Sequence, residues 1–210
     1  MAELFFIVIL IMSVVIHEVS HGFAAYVLGD PTAKLAGRLT LNPLPHLDPL
    51  GSVIIPIILI ILPSPFLFGW AKPVPFNPYN LKGGRWGPAY VALAGPASNI
   101  VIALFFSIVI RMAGPAGFAS PALLQLSGIV VLLNLVLAMF NLIPVPPLDG
   151  SKLLFAALPY HLRHIEYSLH RYQFLFIILA LFLAINLLFP LLVLVFSILT
   201  GLDPAVLFMA

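Results

Sequence analysis

The chain has 210 residues, 62% of them hydrophobic and 8% charged, with a formal net charge of +2. Soluble domains carry roughly a quarter charged residues, so polar surface is too scarce to cover a globule in water, and lipid is the expected solvent. The nine basic residues are scattered and form no nucleic-acid patch, and the lack of cysteine excludes disulfides, thiolate metal ligands and cysteine nucleophiles.

The run from Leu4 to Leu28 is long enough to span a bilayer. No Lys or Arg precedes Lys34, so it reads as a retained membrane helix and not as a secretory leader. Its ionisable groups, His17, Glu18 and His21, fall near its middle, and Gly29-Asp30-Pro31 ends it. Gly37 to Asn42 has strand character, and Asn42-Pro43, Pro45 and Asp48-Pro49 mark turns. Val53 to Phe68 is apolar but interrupted by Pro56, Pro63 and Pro65, which suits a re-entrant or kinked segment. Gly69 to Gly87 is a polar loop rich in proline and glycine.

Pro88 to Met112 is a second span, expected to break near its start at Gly95-Pro96, and Ala122 to Ile143 is a third. Pro144-Val145-Pro146-Pro147 unwinds the chain before Leu148-Asp149-Gly150. Ser151 to Leu158 reads as a short half-buried helix and His161 to Arg171 as interfacial. Tyr172 to Thr200 is apolar with Pro190 inside, either one kinked helix or a hairpin. The expected fold is an all-α polytopic membrane protein with about five or six membrane segments and a re-entrant or short β element between the first two. A single domain over 1–210 is expected, with a core at 1–158 and C-terminal membrane segments at 172–208. If 53–68 re-enters and the N-terminus lies outside, eight of the nine basic residues lie inside and only Arg111 outside. That arrangement also puts the far end of the first helix and the Asp149 turn on one side.

The chemistry concentrates in His17-Glu18-Val19-Ser20-His21. On a helix, residues i and i+4 share a face, so the two imidazoles can hold one zinc ion through ring nitrogens. Glu18 points about a quarter turn away, where it serves as a base towards water and not as a ligand. This chain's own His and Glu content would produce the pattern by accident about once in four hundred such chains. A carboxylate at a helix midpoint in lipid costs roughly 2.5–3.5 kcal/mol, so these residues need a partner or a function. The bland alternative is a buried polar cluster bonded to neighbouring helices.

A catalytic zinc site wants a third protein ligand. The candidates are Asp30, His46, Asp48, Asp149, Glu166, Asp203 and the histidines at 161, 164 and 170. Asp149 stands out because prolines have broken a membrane helix beside it, and such backbone is tolerated only where it lines a cavity or meets a partner. Its alternative role is an N-cap for the next apolar run. His46 and Asp48 read either as turn residues or as part of a loop that folds back near the metal and presents His46, or an extended edge, to substrate.

Three motifs in this order, H-E-V-S-H-G at His17, A-G-P-A-S-N at Ala94 to Asn99 and N-L-I-P-V-P-P-L-D-G at Asn141 to Gly150, resemble the site-2 protease family of intramembrane metalloproteases. The closest resemblance is to compact prokaryotic members without a PDZ domain. It implies one zinc ion held by His17, His21 and Asp149, with Glu18 as the catalytic base. It also implies that Asn141 steadies the substrate or the developing oxyanion, a role an amide donor suits. Otherwise Asn141 reads as an interhelical hydrogen bond. Gly95 to Ser98 allow close helix packing beside the site, and Asn99 can stand behind the ligands. The implied partners are a membrane-protein substrate with a transmembrane segment and the lipid bilayer, in a prokaryotic cytoplasmic membrane. The alternative is a catalytically inactive membrane scaffold with a structural metal, which would not need Glu18; a haem carrier would place its ligands on two helices.

Overall fold

The computed structural model describes residues 2–62, 69–162 and 164–204. Nine α-helices appear among them: α1 Ala2–Val27, α2 Thr32–Leu35, α3 Ile55–Ile61, α4 Gly87–Ala113, α5 Pro121–Asn141, α6 Gly150–Ala157, α7 His164–Arg171, α8 Gln173–Leu183 and α9 Phe189–Thr200. Among the described residues four helical stretches are long and apolar enough to cross a bilayer: Leu4–Val27, Gly84–Ala113, Pro121–Asn141 and Leu175–Thr200. The protein is a multi-pass integral membrane protein with an all-α fold.

The last span settles a choice that hydropathy left open. α8 runs through a π-helical stretch, Ala184–Leu188, straight into α9, so this is one helical run and not a hairpin. Pro190 falls in the first turn of α9, where its missing N–H costs least. The second span also differs from expectation. α4 continues through Gly95-Pro96 without a break, because its long flanks hold the helix together around one lost donor.

α4 is the central helix. Its far half packs with α5 and α9 around Ala103, Ile110, Val131, Leu135, Leu192 and Phe196. Between membrane helices no hydrophobic drive is available, so close packing through small residues does the work. Ala89, Ala92, Gly95 and Ala103 are all buried along α4.

The expected strand at Gly37 to Asn42 is not formed, and no strand occurs among the described residues. Local side-chain bonds compete with any ladder there. Thr40 Oγ1 accepts from the Asn42 N–H at 3.2 Å, and Asn42 Oδ1 accepts from the Leu44 N–H at 3.1 Å. Of the apolar segment at 53–68, residues 63–68 lie outside the described residues. The part before them is a π-helical turn, Pro49–Ile54, leading into α3, and Pro49–Leu59 is too short to cross.

Residues 70–77 form an extended strap across α1. Three alternate N–H groups along it are satisfied. Trp70 donates to Gly51 O (3.2 Å), Lys72 to His46 O (2.9 Å) and Val74 to Glu18 Oε2 (2.9 Å). Gly22 makes the fit possible, since a Cβ there would stand 2.8 Å from both Val74 Cγ1 and Leu39 Cδ2. The strap ends at Asp30, a fully buried carboxylate just past Gly29, whose φ of 107° turns the chain out of α1. Asp30 accepts from the Asn77 N–H at 2.6 Å, Thr32 Oγ1 at 2.6 Å and Asn80 Nδ2 at 2.9 Å.

Burial pushes the Asp30 carboxyl up, but the hydrogen bonds from Thr32, Asn80 and Asn77 outweigh it and hold the group below the usual carboxylate range. A depressed native pKa gives stability that is present above the unfolded value of about 4 and is lost as pH falls through the native one. Asp30→Ala should therefore lower the melting temperature at neutral pH and flatten the acid limb of a melting-temperature profile. An unchanged acid limb would show that the knot contributes nothing there.

Candidate metal centre

His17 and His21 lie on the buried face of α1, 6% and 9% exposed. Each ring is pinned at Nδ1. His21 Nδ1 stands 2.8 Å from the Val91 carbonyl and His17 Nδ1 stands 2.6 Å from Asn99 Oδ1, both on α4. A backbone carbonyl only accepts, so His21 carries a proton on Nδ1, and Nε2 is the nitrogen turned towards the other two side chains. Pro96 frees the carbonyl four residues back, that of Ala92. The carbonyl that serves His21 is the one before it.

Asp149 arrives from the turn between α5 and α6. Its backbone sits at the N-cap of α6, yet its side chain makes no capping hydrogen bond. It points instead at the two rings, with Oδ2 at 3.1 Å from His17 Nε2 and 3.2 Å from His21 Nε2. The two Nε2 atoms are 3.0 Å apart. Gly150 gives this turn its closeness, since a Cβ there would run into the Leu142 and Ile143 carbonyls.

Three ligand atoms therefore form a nearly equilateral triangle with sides of 3.0–3.2 Å. Tetrahedral zinc with ligands at about 2.0–2.1 Å needs them about 3.3–3.4 Å apart. The donor set, two neutral imidazoles and a carboxylate, is also one that zinc takes with a fourth position open. The residues present fit the ion. His17, His21 and Asp149 are the one such group of metal-binding side chains among the described residues. Asp149 is the most open of the three, its side chain 21% exposed.

Glu18 stays out of the triangle. Its Oε2 accepts the Val74 N–H of the strap, which fixes the carboxylate and leaves Oε1 for a proton. Gly95 completes the centre by absence of a side chain: a Cβ there would stand 2.5 Å from His21 Nε2 and 2.6 Å from His17 Cε1.

A family model, that of peptidase family M50, matches residues 109–185, a stretch that includes Asn141 and Asp149. The chain is 43% identical over 156 residues to "Putative zinc metalloprotease YwhC" of Bacillus subtilis, covering 71% of this chain and 67% of that protein. It is 34% identical over 143 residues to "Putative zinc metalloprotease Rip2" of Mycolicibacterium smegmatis, covering 67% of this chain and 52% of that protein. The chain belongs to peptidase family M50. This bears out the site-2 protease resemblance carried by the three motifs. A shorter match, 42% identical over 65 residues, links it to "Putative zinc metalloprotease MJ0611" of Methanocaldococcus jannaschii, covering 30% of this chain and 31% of that protein. The chain spans only about half the length of the Rip2 proteins it matches. No solved structure matches it.

Other candidate residues of this M50 member go elsewhere. Asn141 turns back on its own helix, with Nδ2 donating to Leu137 O at 2.9 Å, and makes neither the interhelical bond nor a bond to the three ligands. His46 is 1% exposed, with Nε2 at 3.0 Å from Thr40 O, and so sits inside the loop that backs the strap. Asp48 caps the turn after it, accepting from Leu50 N and Gly51 N at 3.1 and 2.7 Å. Glu166 and His170 belong to α7, and the His170 ring packs against Phe155. Hydropathy and motif spacing missed the Val91 carbonyl, the Val74 N–H and, on α5, Asn134. Only Asn134 had a signal, an amide within an apolar membrane span.

Proposed function

We propose that this protein is an intramembrane zinc metalloprotease, which hydrolyses peptide bonds in or beside a transmembrane segment of another membrane protein. The observation that carries the reading is the meeting of His17, His21 and Asp149 inside a membrane span with Glu18 alongside. At 1.5 Å per residue, His21 and His17 stand about 9 and 15 Å from the Val27 end of that span, at a depth where the peptide bonds of a transmembrane segment lie. His17, His21 and Asp149 hold one zinc ion, which supplies Lewis acidity to water and to the scissile carbonyl. Glu18 takes the proton of the attacking water at Oε1 and delivers it to the leaving amine. Asn141 steadies the substrate or the oxyanion once its amide turns away from Leu137, and the loop holding His46 supports the strap that lies nearest to an incoming segment. The partners are the bilayer and a membrane-protein substrate. The matched relatives are bacterial and archaeal, which supports placement in a prokaryotic cytoplasmic membrane.

The test uses the full chain in detergent or vesicles with a model substrate that has one transmembrane helix. Cleavage mapped by mass spectrometry should fall in or beside that helix, stop when a chelator strips the metal, and return with zinc. Zinc-loaded protein that cuts water-soluble peptides but never the embedded segment would refute the intramembrane reading. Folded protein that takes up no zinc would refute the metal reading.

A further inference from the structure

Behind His17 lies a chain of buried polar groups that the hydrolytic reading does not use. Asn99 and Asn134 are 0% exposed and Ser13 is 3% exposed. They come from α4, α5 and α1, the three helices that surround the centre. They bond to one another, and the amide contacts have one consistent polarity.

The polarity is set at the far end. Asn134 Nδ2 lies 2.9 Å from Val130 O and 3.0 Å from Ser13 Oγ. A backbone carbonyl only accepts, so the amide group facing Val130 must be the NH2. That turns Asn134 Oδ1 towards Asn99, 2.8 Å from its Nδ2. The Ser13 carbonyl, 3.4 Å from the same Asn99 nitrogen, demands the same orientation. Asn99 Oδ1 is thereby left facing His17 Nδ1 at 2.6 Å. An amide oxygen can only accept, so His17 carries a proton on Nδ1, and Nε2, which stands 3.1 Å from Asp149 Oδ2, is the nitrogen left for the metal. Reversing any one amide would set acceptor against acceptor in a site closed to water, and each such mismatch leaves a buried group unpaired.

We propose that Asn134 is a positioning residue for the metal centre: through Asn99 it holds His17 in the Nδ1–H tautomer, with Nε2 presented as a ligand. It touches neither metal nor substrate. His21 needs no such relay, because a backbone carbonyl holds it directly. The inference rests on the zinc reading above, but the tautomer is a property of the chain alone.

The experiment compares zinc affinity of the full-length wild type, Asn134→Asp and Asn134→Leu in detergent, by competition with a chromophoric chelator. Aspartate is isosteric with asparagine and, kept neutral by burial, offers Asn99 an acceptor and Val130 O a donor. Leucine fills the same volume but offers none. Asn134→Leu should bind zinc about 10–100-fold more weakly, the range typical of groups that orient a metal-binding histidine, and Asn134→Asp should stay within about threefold of wild type. A role in packing alone predicts the opposite order, because leucine suits an apolar helix interface better than aspartate. Leucine at wild-type affinity, or aspartate as weak as leucine, would overturn the proposal.

If Asn134→Leu does not fold, nitrogen-15 spectra of histidine-labelled, metal-free wild type decide the matter, with His17 assigned by its loss in His17→Ala. A proton on Nδ1 upholds the relay, whether or not Asp149 also draws one to Nε2, and an Nδ1 without a proton overturns it. Wild-type protein that takes up no zinc would count against the metal reading, and the same spectra would still judge the relay.

Discussion

Glu18→Gln is expected to keep zinc and lose hydrolysis, with turnover of a transmembrane substrate falling at least 10²–10⁴-fold, on the order of what a positioned general base contributes. The amide is isosteric with the carboxylate, and its oxygen can still accept the Val74 N–H, so the strap should stay in place. None of the three ligand atoms is touched. What disappears is the oxygen that takes a proton. Zinc content and cleavage rate, measured side by side on one preparation, separate the two roles. Full activity in Glu18→Gln would remove Glu18 from the chemistry and leave the base unidentified. Loss of zinc along with activity would mean that Glu18 is part of the binding site, contrary to the geometry.

Gly95→Ala is expected to spoil the centre without unfolding the protein. The new methyl would arrive 2.5 Å from His21 Cε1 and Nε2, far inside any real contact distance. Neither ring can step aside cheaply, because His21 is tied to Val91 O and His17 to Asn99. Either α4 moves off α1 or the rings leave the triangle, and overpacking of this kind costs about 1–3 kcal/mol. Alanine is the better helix former by roughly 1 kcal/mol, so the helix itself gains. Zinc affinity should fall about 10-fold or more while the metal-free melting temperature stays close to wild type. Zinc affinity at the wild-type level would mean that the two helices do not approach this closely. The contrast with Glu18→Gln is useful, since one substitution removes the chemistry and keeps the metal while the other removes the metal and keeps the chemistry's base.

The centre is legible from residue spacing because its parts obey short-range rules. His17 and His21 meet on one face of a helix by the i, i+4 rule, whatever surrounds them. Asp149 stands out because prolines expose backbone at a place where lipid tolerates it only beside a partner. The side-chain direction of Asp149 is not legible, because the same sequence position serves equally well as a helix cap. The packing against α1 decides that, by offering the two rings.

Composition and hydropathy by themselves determined that the chain lives in lipid, and the H-E-x-x-H helix determined where a metal could sit. Both result from local chemistry: apolar length against bilayer thickness, and helical pitch against ligand spacing. Two local outcomes escaped the pattern reading, and tertiary structure alone decided the long-range contacts. The strand expected at Gly37 to Asn42 became turns because the Thr40 and Asn42 side chains bond the backbone at and just after its end. The helix expected to break at Pro96 ran on because its flanks hold it. Val74 reaching Glu18, Val91 reaching His21, and Asn134 reaching His17 through Asn99 join residues 35 to 82 positions apart in the individual bonds involved. No periodicity in the chain encodes such pairings, because they depend on which helix faces which and how closely small residues such as Gly95 let them approach.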